Sequence, residues 1–115
     1  MATFPNLDVL QGYLKVVADR QQLIVSNMAN VDTPGYHTKD VDFQSALRAV
    51  MNSDGEAHLD PAAMELQGLP ERPDGNNVDI DHESLKLSQT QLEFQLGVQL
   101  VKNKFSDLLT AIKEV

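Results

Sequence analysis

The sequence has no cysteine and no tryptophan, only four phenylalanines and two tyrosines, and nine basic residues against seventeen acidic ones. Each shortage removes a class of function. Without cysteine there is no disulfide, no thiolate nucleophile and no sulfur-ligated metal site. Scarce aromatics leave the packing to Leu, Val, Ile and Met. No apolar run approaches the ~18 residues that a membrane span requires. Met1 to Asn6 lacks a basic stretch and no long apolar run follows it, so a cleaved secretory signal is not expected. At 115 residues the chain has room for a single domain, which buries only about two-thirds of its unfolded surface.

Acidic residues are present in excess and are unevenly placed. Residues 52–83 hold nine acidic groups and Arg72 alone as a base, so the formal charge of −8 resides there, while the flanking segments nearly cancel. Nucleic-acid binding needs clustered Lys and Arg to displace counterions, and an anionic membrane surface needs the same. Neither partner fits this distribution. A solvated, carboxylate-rich loop does.

The apolar residues follow helical periods at both ends. Leu7, Leu10, Leu14, Val17, Gln21, Ile24, Met28 and Val31 alternate spacings of three and four, with only Gln21 polar, which is a coiled-coil seam. Asn6 reads as its N-cap and Asp8 suits the positive end of the helix dipole. Val9, Tyr13, Val16 and Leu23 widen the apolar face. Leu87, Gln91, Phe94, Val98, Val101, Phe105, Leu108 and Ile112 repeat the pattern toward the C-terminus, after candidate caps at Asp79 and Asp81. Leu85, Leu92, Leu96 and Leu100 form a second stripe on another side of that helix, giving more apolar surface than one antiparallel partner covers.

Between these helices the punctuation changes. Thr33 precedes proline and is pushed toward extended conformations, while Pro34-Gly35 supplies the restricted φ and the positive φ of a type II turn ending at Tyr36. The first helix must therefore stop near Asn30. Asp42 reads as the cap of a helix of about ten residues carrying Phe43, Leu47 and Val50 on one face. Gly and Pro then recur every few residues from Gly55 to Gly75. Within that stretch Pro61 to Leu66 could form one turn of helix or remain irregular.

The segment Asn27-Met28-Ala29-Asn30-Val31-Asp32-Thr33-Pro34-Gly35-Tyr36 resembles the N-terminal signature of the flagellar axial proteins, the subunits of the bacterial flagellar rod, hook and junctions. Asn27, Ala29, Asn30, Thr33, Pro34, Gly35 and Tyr36 carry the motif. Lys39-Asp40-Val41-Asp42-Phe43-Gln44 and Asp74-Gly75-Asn76-Asn77-Val78-Asp79-Ile80-Asp81 are similar to segments of the proximal-rod members of that family. The resemblance covers roughly residues 7–51 and 74–113; residues 52–73 match nothing. It implies a structural subunit in the basal body, in the periplasmic space, that leaves the cell through the flagellar exporter without a cleaved signal. Implied partners are other rod subunits, the membrane ring and the export apparatus, in homo- and hetero-oligomers. No nucleic acid and no small-molecule substrate are implied.

Groupings that could carry chemistry are weak. His37, His58 and His82 lie more than 20 residues apart, without a second ligand at a metal-binding spacing. Asp74-x-Asn76-x-Val78 fails as a calcium loop because its third ligand position is apolar. Asp79, Asp81 and Glu83 read as helix-start carboxylates rather than an acid–base pair. Asn30 and Asp32 read as residues that satisfy local backbone groups. Gln21 and Gln91 could pair across the seam, face solvent or meet another subunit.

The expected architecture is mainly α. Two long amphipathic terminal helices form a coiled-coil-like hairpin within one domain: helix over 7–31, turn, short helix and acidic loop over 32–83, helix over 84–113. The expected function is structural and not enzymatic, with no cofactor or metal. Assembly is expected to run through the seam residues Leu10, Leu14, Val17, Ile24, Met28, Leu87, Phe94, Val98, Val101, Phe105, Leu108 and Ile112. The alternatives are another short rod subunit of the same family, or a cytoplasmic helical-hairpin adaptor or export chaperone.

Overall fold

The computed structural model describes residues 5–52 and 63–114. Helix α1 spans Pro5–Ala29, strand β1 Lys39–Val41, helix α2 Phe43–Asn52, strand β2 Ala63–Glu65 and helix α3 Ile80–Lys113. The fold is mainly helical, with α1 and α3 packed together as an antiparallel hairpin: Asn27 meets Glu83 near one end and Leu7 lies beside Leu108 near the other. The molecule is elongated, 67 Å by 24 Å by 17 Å.

Local chemistry accounts for the element boundaries. Pro5 opens α1, where its missing N–H is not needed and its φ is already helical, so Asn6 lies inside the helix and not at its cap. The helix stops at Ala29, two residues short of the expected span 7–31. Asn30 closes it, its side-chain amide donating to the Ser26 carbonyl at 2.8 Å and its backbone N–H reaching Ser26 and Asn27. Asp42 caps α2 as expected, accepting from the Ser45 backbone N–H at 3.2 Å and from its hydroxyl at 2.7 Å. Those bonds hold the Asp42 carboxyl below its ordinary pKa.

Helix α3 starts at Ile80, earlier than residue 84, because Asp79 supplies the cap and its carboxylate accepts from the Asp81 and His82 backbone N–H groups. Residues 63–65, which could have formed part of a helical turn, are instead a strand. Ala63, Met64 and Glu65 pair antiparallel with Val41, Asp40 and Lys39. The pairing satisfies backbone groups that a single isolated helical turn would leave open. Pro61, Ala62 and His58 lie outside the described residues.

The buried core is small. Among the described residues its buried apolar members are Val16, Val17 and Ile24 of α1, Val41 of β1, Ala46 of α2 and Val78 before α3. Phe43 packs on Val16 and Ala46, and its ring meets Tyr13 edge-on at 6.0 Å between centroids. Burial, and secondarily the charge of Glu93, raise the pKa of the Tyr13 hydroxyl.

Candidate functional site

The turn motif and the Asp74 to Asn77 segment, far apart in sequence, fold onto each other. Pro34 and Gly35 form the expected turn, with Gly35 at φ 74° and the Tyr36 N–H donating to the Thr33 carbonyl at 3.2 Å. The Gly35 N–H does not stay free, since it donates to the Asp74 carbonyl at 2.8 Å. Gly75, at φ 84°, lies so close that a Cβ on it would stand 3.3 Å from the Gly35 Cα. The approach is close on the Gly75 side, where a side chain would crowd the Gly35 backbone.

Asn76 and Asn77 complete the clamp. The Asn76 side chain is fully buried and donates to the Asn30 carbonyl at 2.9 Å and to the Thr33 carbonyl at 2.8 Å, which closes the free end of α1. Its own oxygen accepts from the Val78 N–H at 2.8 Å. Asn77 Oδ1 accepts the Thr38 N–H at 2.6 Å, and the Asn77 carbonyl accepts the Thr38 hydroxyl at 3.3 Å. The Arg72 guanidinium donates to the Val31 carbonyl. The Asp-Gly-Asn-Asn run is thus the second half of the turn motif.

Beside this clamp lies a buried polar network. Asn27 has no solvent exposure and uses every polar site of its side chain. Its amide donates to the Lys39 carbonyl at 2.7 Å and to Glu83 Oε2 at 3.1 Å. Its oxygen accepts the Tyr36 hydroxyl at 3.0 Å and the Lys39 N–H at 3.1 Å. Glu83, 1% exposed, takes Lys86 Nζ at 3.3 Å on its other oxygen, and Lys86 stands 3.6 Å from Asp40. Asp40 in turn accepts both arms of the Arg20 guanidinium, at 3.1 Å and 3.3 Å. The four charges alternate in sign along the chain Arg20, Asp40, Lys86, Glu83, so each buried ion is compensated. Periodicity offers no signal for this network, because its bonded partners are separated by up to 56 residues.

The motif residues therefore divide by environment. Asn27 is buried and Asn30 and Tyr36 half-buried, whereas Ala29, Thr33, Pro34 and Gly35 are exposed. Among the seam residues of α1, Val17 and Ile24 are buried, and Leu10, Leu14 and Met28 are half-buried. On α3 the helix turns a different face inward: its buried residues are Glu83, Lys86, Thr90 and Gly97, one position before the seam residues Leu87, Gln91 and Val98. Gly97 permits the closest approach, since a Cβ there would lie 2.6 Å from Leu14 Cδ2 and 3.1 Å from Tyr13 Cε1.

Consequently Leu87, Val98, Val101 and Leu108 are only half-buried, and Phe94, Phe105 and Ile112 are exposed, Ile112 at 65%. The second stripe is exposed as well: Leu85, Leu92, Leu96 and Leu100 all stand in solvent, Leu92 at 67%. Gln21 is half-buried and Gln91 exposed. Two apolar flanks thus border a polar and small-residue inner face. A single hairpin leaves both uncovered.

No family profile matches the chain. Whole-length similarity does. The chain is 30% identical to the flagellar basal body rod protein FlgB of Escherichia coli and 29% identical to that of Salmonella typhimurium, in each case over 123 residues that cover 90% of this chain and 89% of the relative. It is 33% identical to FlgB of Bacillus subtilis over 117 residues, again across 90% of this chain and 89% of the relative. With the turn motif, its Asp-Gly-Asn-Asn counterpart and the helical hairpin in place, the chain belongs to the flagellar basal body rod protein FlgB family.

Proposed function

We infer that the chain is a structural subunit of the bacterial flagellar basal-body rod, built into the periplasm-spanning shaft through its two terminal helices and needed for motility. The observation that carries this reading is the pair of exposed apolar flanks on α3, Leu85, Leu92, Leu96 and Leu100 on one side and Phe94, Phe105 and Ile112 on the other. Burial of apolar surface is worth about 25 cal/mol per Å², and side chains of this size are covered when neighbouring helices pack beside them. The seam residues Leu10, Leu14, Val17, Ile24 and Met28 hold the hairpin that presents the flanks. The turn motif holds the base of the hairpin.

The partners are other rod subunits and, beneath them, the membrane ring and export apparatus, in homo- and hetero-oligomeric contact. Export proceeds without a cleaved signal, and the subunit resides in the basal body. Deleting the gene tests the reading: swimming is lost, imaged basal bodies lack a rod, and the intact chain supplied in trans restores both. Normal swimming after deletion, or a protein retained wholly in the cytoplasm during rod assembly, overturns it.

A further inference from the structure

By hydrophobicity alone, α3 should roll to bury a leucine stripe or its Phe94, Phe105 and Ile112 stripe against α1. It does the opposite. The residues it buries deepest against the rest of the chain are polar or small, Glu83 and Lys86 and then Thr90 and Gly97, with Leu87, Val98, Val101 and Leu108 only half-buried beside them. Something other than apolar burial sets the rotation of this helix.

We propose that the Arg20–Asp40–Lys86–Glu83 network, anchored to α1 by Asn27, is a rotational lock that keeps both apolar flanks of α3 turned outward. Three observations carry the assignment. Glu83 and Lys86 sit at adjacent positions of one helical face, and their partners come from elements other than α3: Asn27 from α1 and Asp40 from β1. Arg20, which holds Asp40 by both arms, adds a second tie to α1 and lies over the Phe43 ring at 5.9 Å. Rolling α3 by one residue position, about 100°, carries Glu83 and Lys86 away from these partners, which leaves one Asn27 amide hydrogen unpaired and takes the Lys86 ammonium from Asp40. Gly97 fits the same rotation, because only a residue without Cβ tolerates Leu14 at that distance. Charged networks of this kind add little to stability over a well-packed apolar set, and specifying one arrangement is their best-attested use.

The lock does not depend on the rod reading, which it deepens only by saying why the flanks remain available to neighbours. Positions 92 and 90 report the roll directly, since the chain has no cysteine of its own. In the full chain, a thiol introduced by Leu92→Cys reacts with an alkylating reagent at least tenfold faster than one introduced by Thr90→Cys. With the network neutralised by Arg20→Met, Asp40→Asn, Glu83→Gln and Lys86→Met together, the two rates converge or invert, while circular dichroism shows unchanged helix content. Neutralising Lys15 and Asp19, an exposed pair on α1, serves as the control and leaves the rates unchanged.

Three results overturn the lock: equal rates in the unaltered background, retention of the tenfold difference after neutralisation, or loss of helix content in the neutralised chain, which would make the network a requirement for the fold itself. A motility defect alone tests rod assembly and not the roll.

Discussion

The Asn27 amide and the Glu83 carboxylate, 3.1 Å apart and both withdrawn from solvent, join the turn motif of α1 to the first turn of α3. Asn27 also holds both backbone groups of Lys39 and the Tyr36 hydroxyl, so Asn27→Ala strands several buried partners at once. A loss of about 3 kcal/mol is expected from denaturant unfolding, since each orphaned buried group costs roughly 1–3 kcal/mol and relaxation recovers part of the sum. Asn27→Asp places a second carboxylate against Glu83. It should be more damaging than Asn27→Ala, because like charges then face each other out of contact with solvent.

The two glycines of the junction should respond differently. A Cβ on Gly35 meets nothing within 4 Å, so Gly35→Ala is limited to the penalty of a positive φ, about 1–2 kcal/mol. Gly75→Ala carries the same penalty at φ 84° and also crowds the Gly35 Cα at 3.3 Å, so its unfolding midpoint should fall further. Gly35→Val adds β-branching and should redirect the end of α1. Cells carrying it are expected to export the subunit but build few rods; normal swimming would remove the turn from the assembly mechanism.

At the helix crossing, Gly97→Ala gains about 1 kcal/mol of helix propensity and loses about 1–3 kcal/mol to overpacking against Leu14. A net loss near 1 kcal/mol is expected. Because the nearest obstruction is the end of the flexible Leu14 side chain, Leu14→Ala should cost less in the Gly97→Ala background than in the parent. A double-mutant cycle should show a coupling of about 1 kcal/mol, and additive values would mean that the helices separate instead.

Much of this architecture is written locally. The Pro34-Gly35 turn, the Asp42 and Asp79 caps and the length of α2 each depend on residues within four positions of one another, and each can be read from sequence. The inner face of α3 cannot. Its apolar period points to Leu87, Gln91, Phe94 and Val98, yet the helix is rotated by pairings between Lys86 and Asp40 and between Glu83 and Asn27, residues 46 and 56 positions apart. A three-residue strand such as β2 is too short to show alternation, so its sequence carries no signal for it. The role of Asn76 was equally hidden: a motif records that an asparagine is present, but not that its amide closes a helix end 46 residues away.

The Asp42 cap gives α2 a defined pH dependence. Hydrogen bonds from Ser45 lower its carboxyl pKa from 3.8, so the stabilisation is present in full above that value and is lost as pH falls through the lower folded value. Asp42→Asn keeps an acceptor for the Ser45 N–H but has no proton to take up. Amide exchange in α2 should therefore quicken on acidification in the parent chain and stay level in Asp42→Asn, measured relative to α1. Parallel acid responses in the two chains would mean that the cap contributes nothing to α2.

The exposed flanks separate folding from assembly most cleanly. Leu92 and Phe105 are 67% and 52% exposed, so a carboxylate at either position remains hydrated in the isolated chain, and Leu92→Glu or Phe105→Glu should leave helix content and unfolding midpoint within about 0.5 kcal/mol of the parent. Assembly changes the environment. If a neighbouring subunit covers the flank, the introduced carboxylate is desolvated without a partner at a cost of several kcal/mol, enough to exclude the variant from the rod. The expected outcome is an exported subunit found outside the cytoplasm, in cells that do not swim. Val101→Glu should exclude the subunit too, but with a measurable fall in stability, because Val101 is already half-buried within the chain. Normal motility with Leu92→Glu and with Phe105→Glu would mean that neither flank of α3 meets a neighbour, and the assembly surface would have to lie elsewhere on the hairpin.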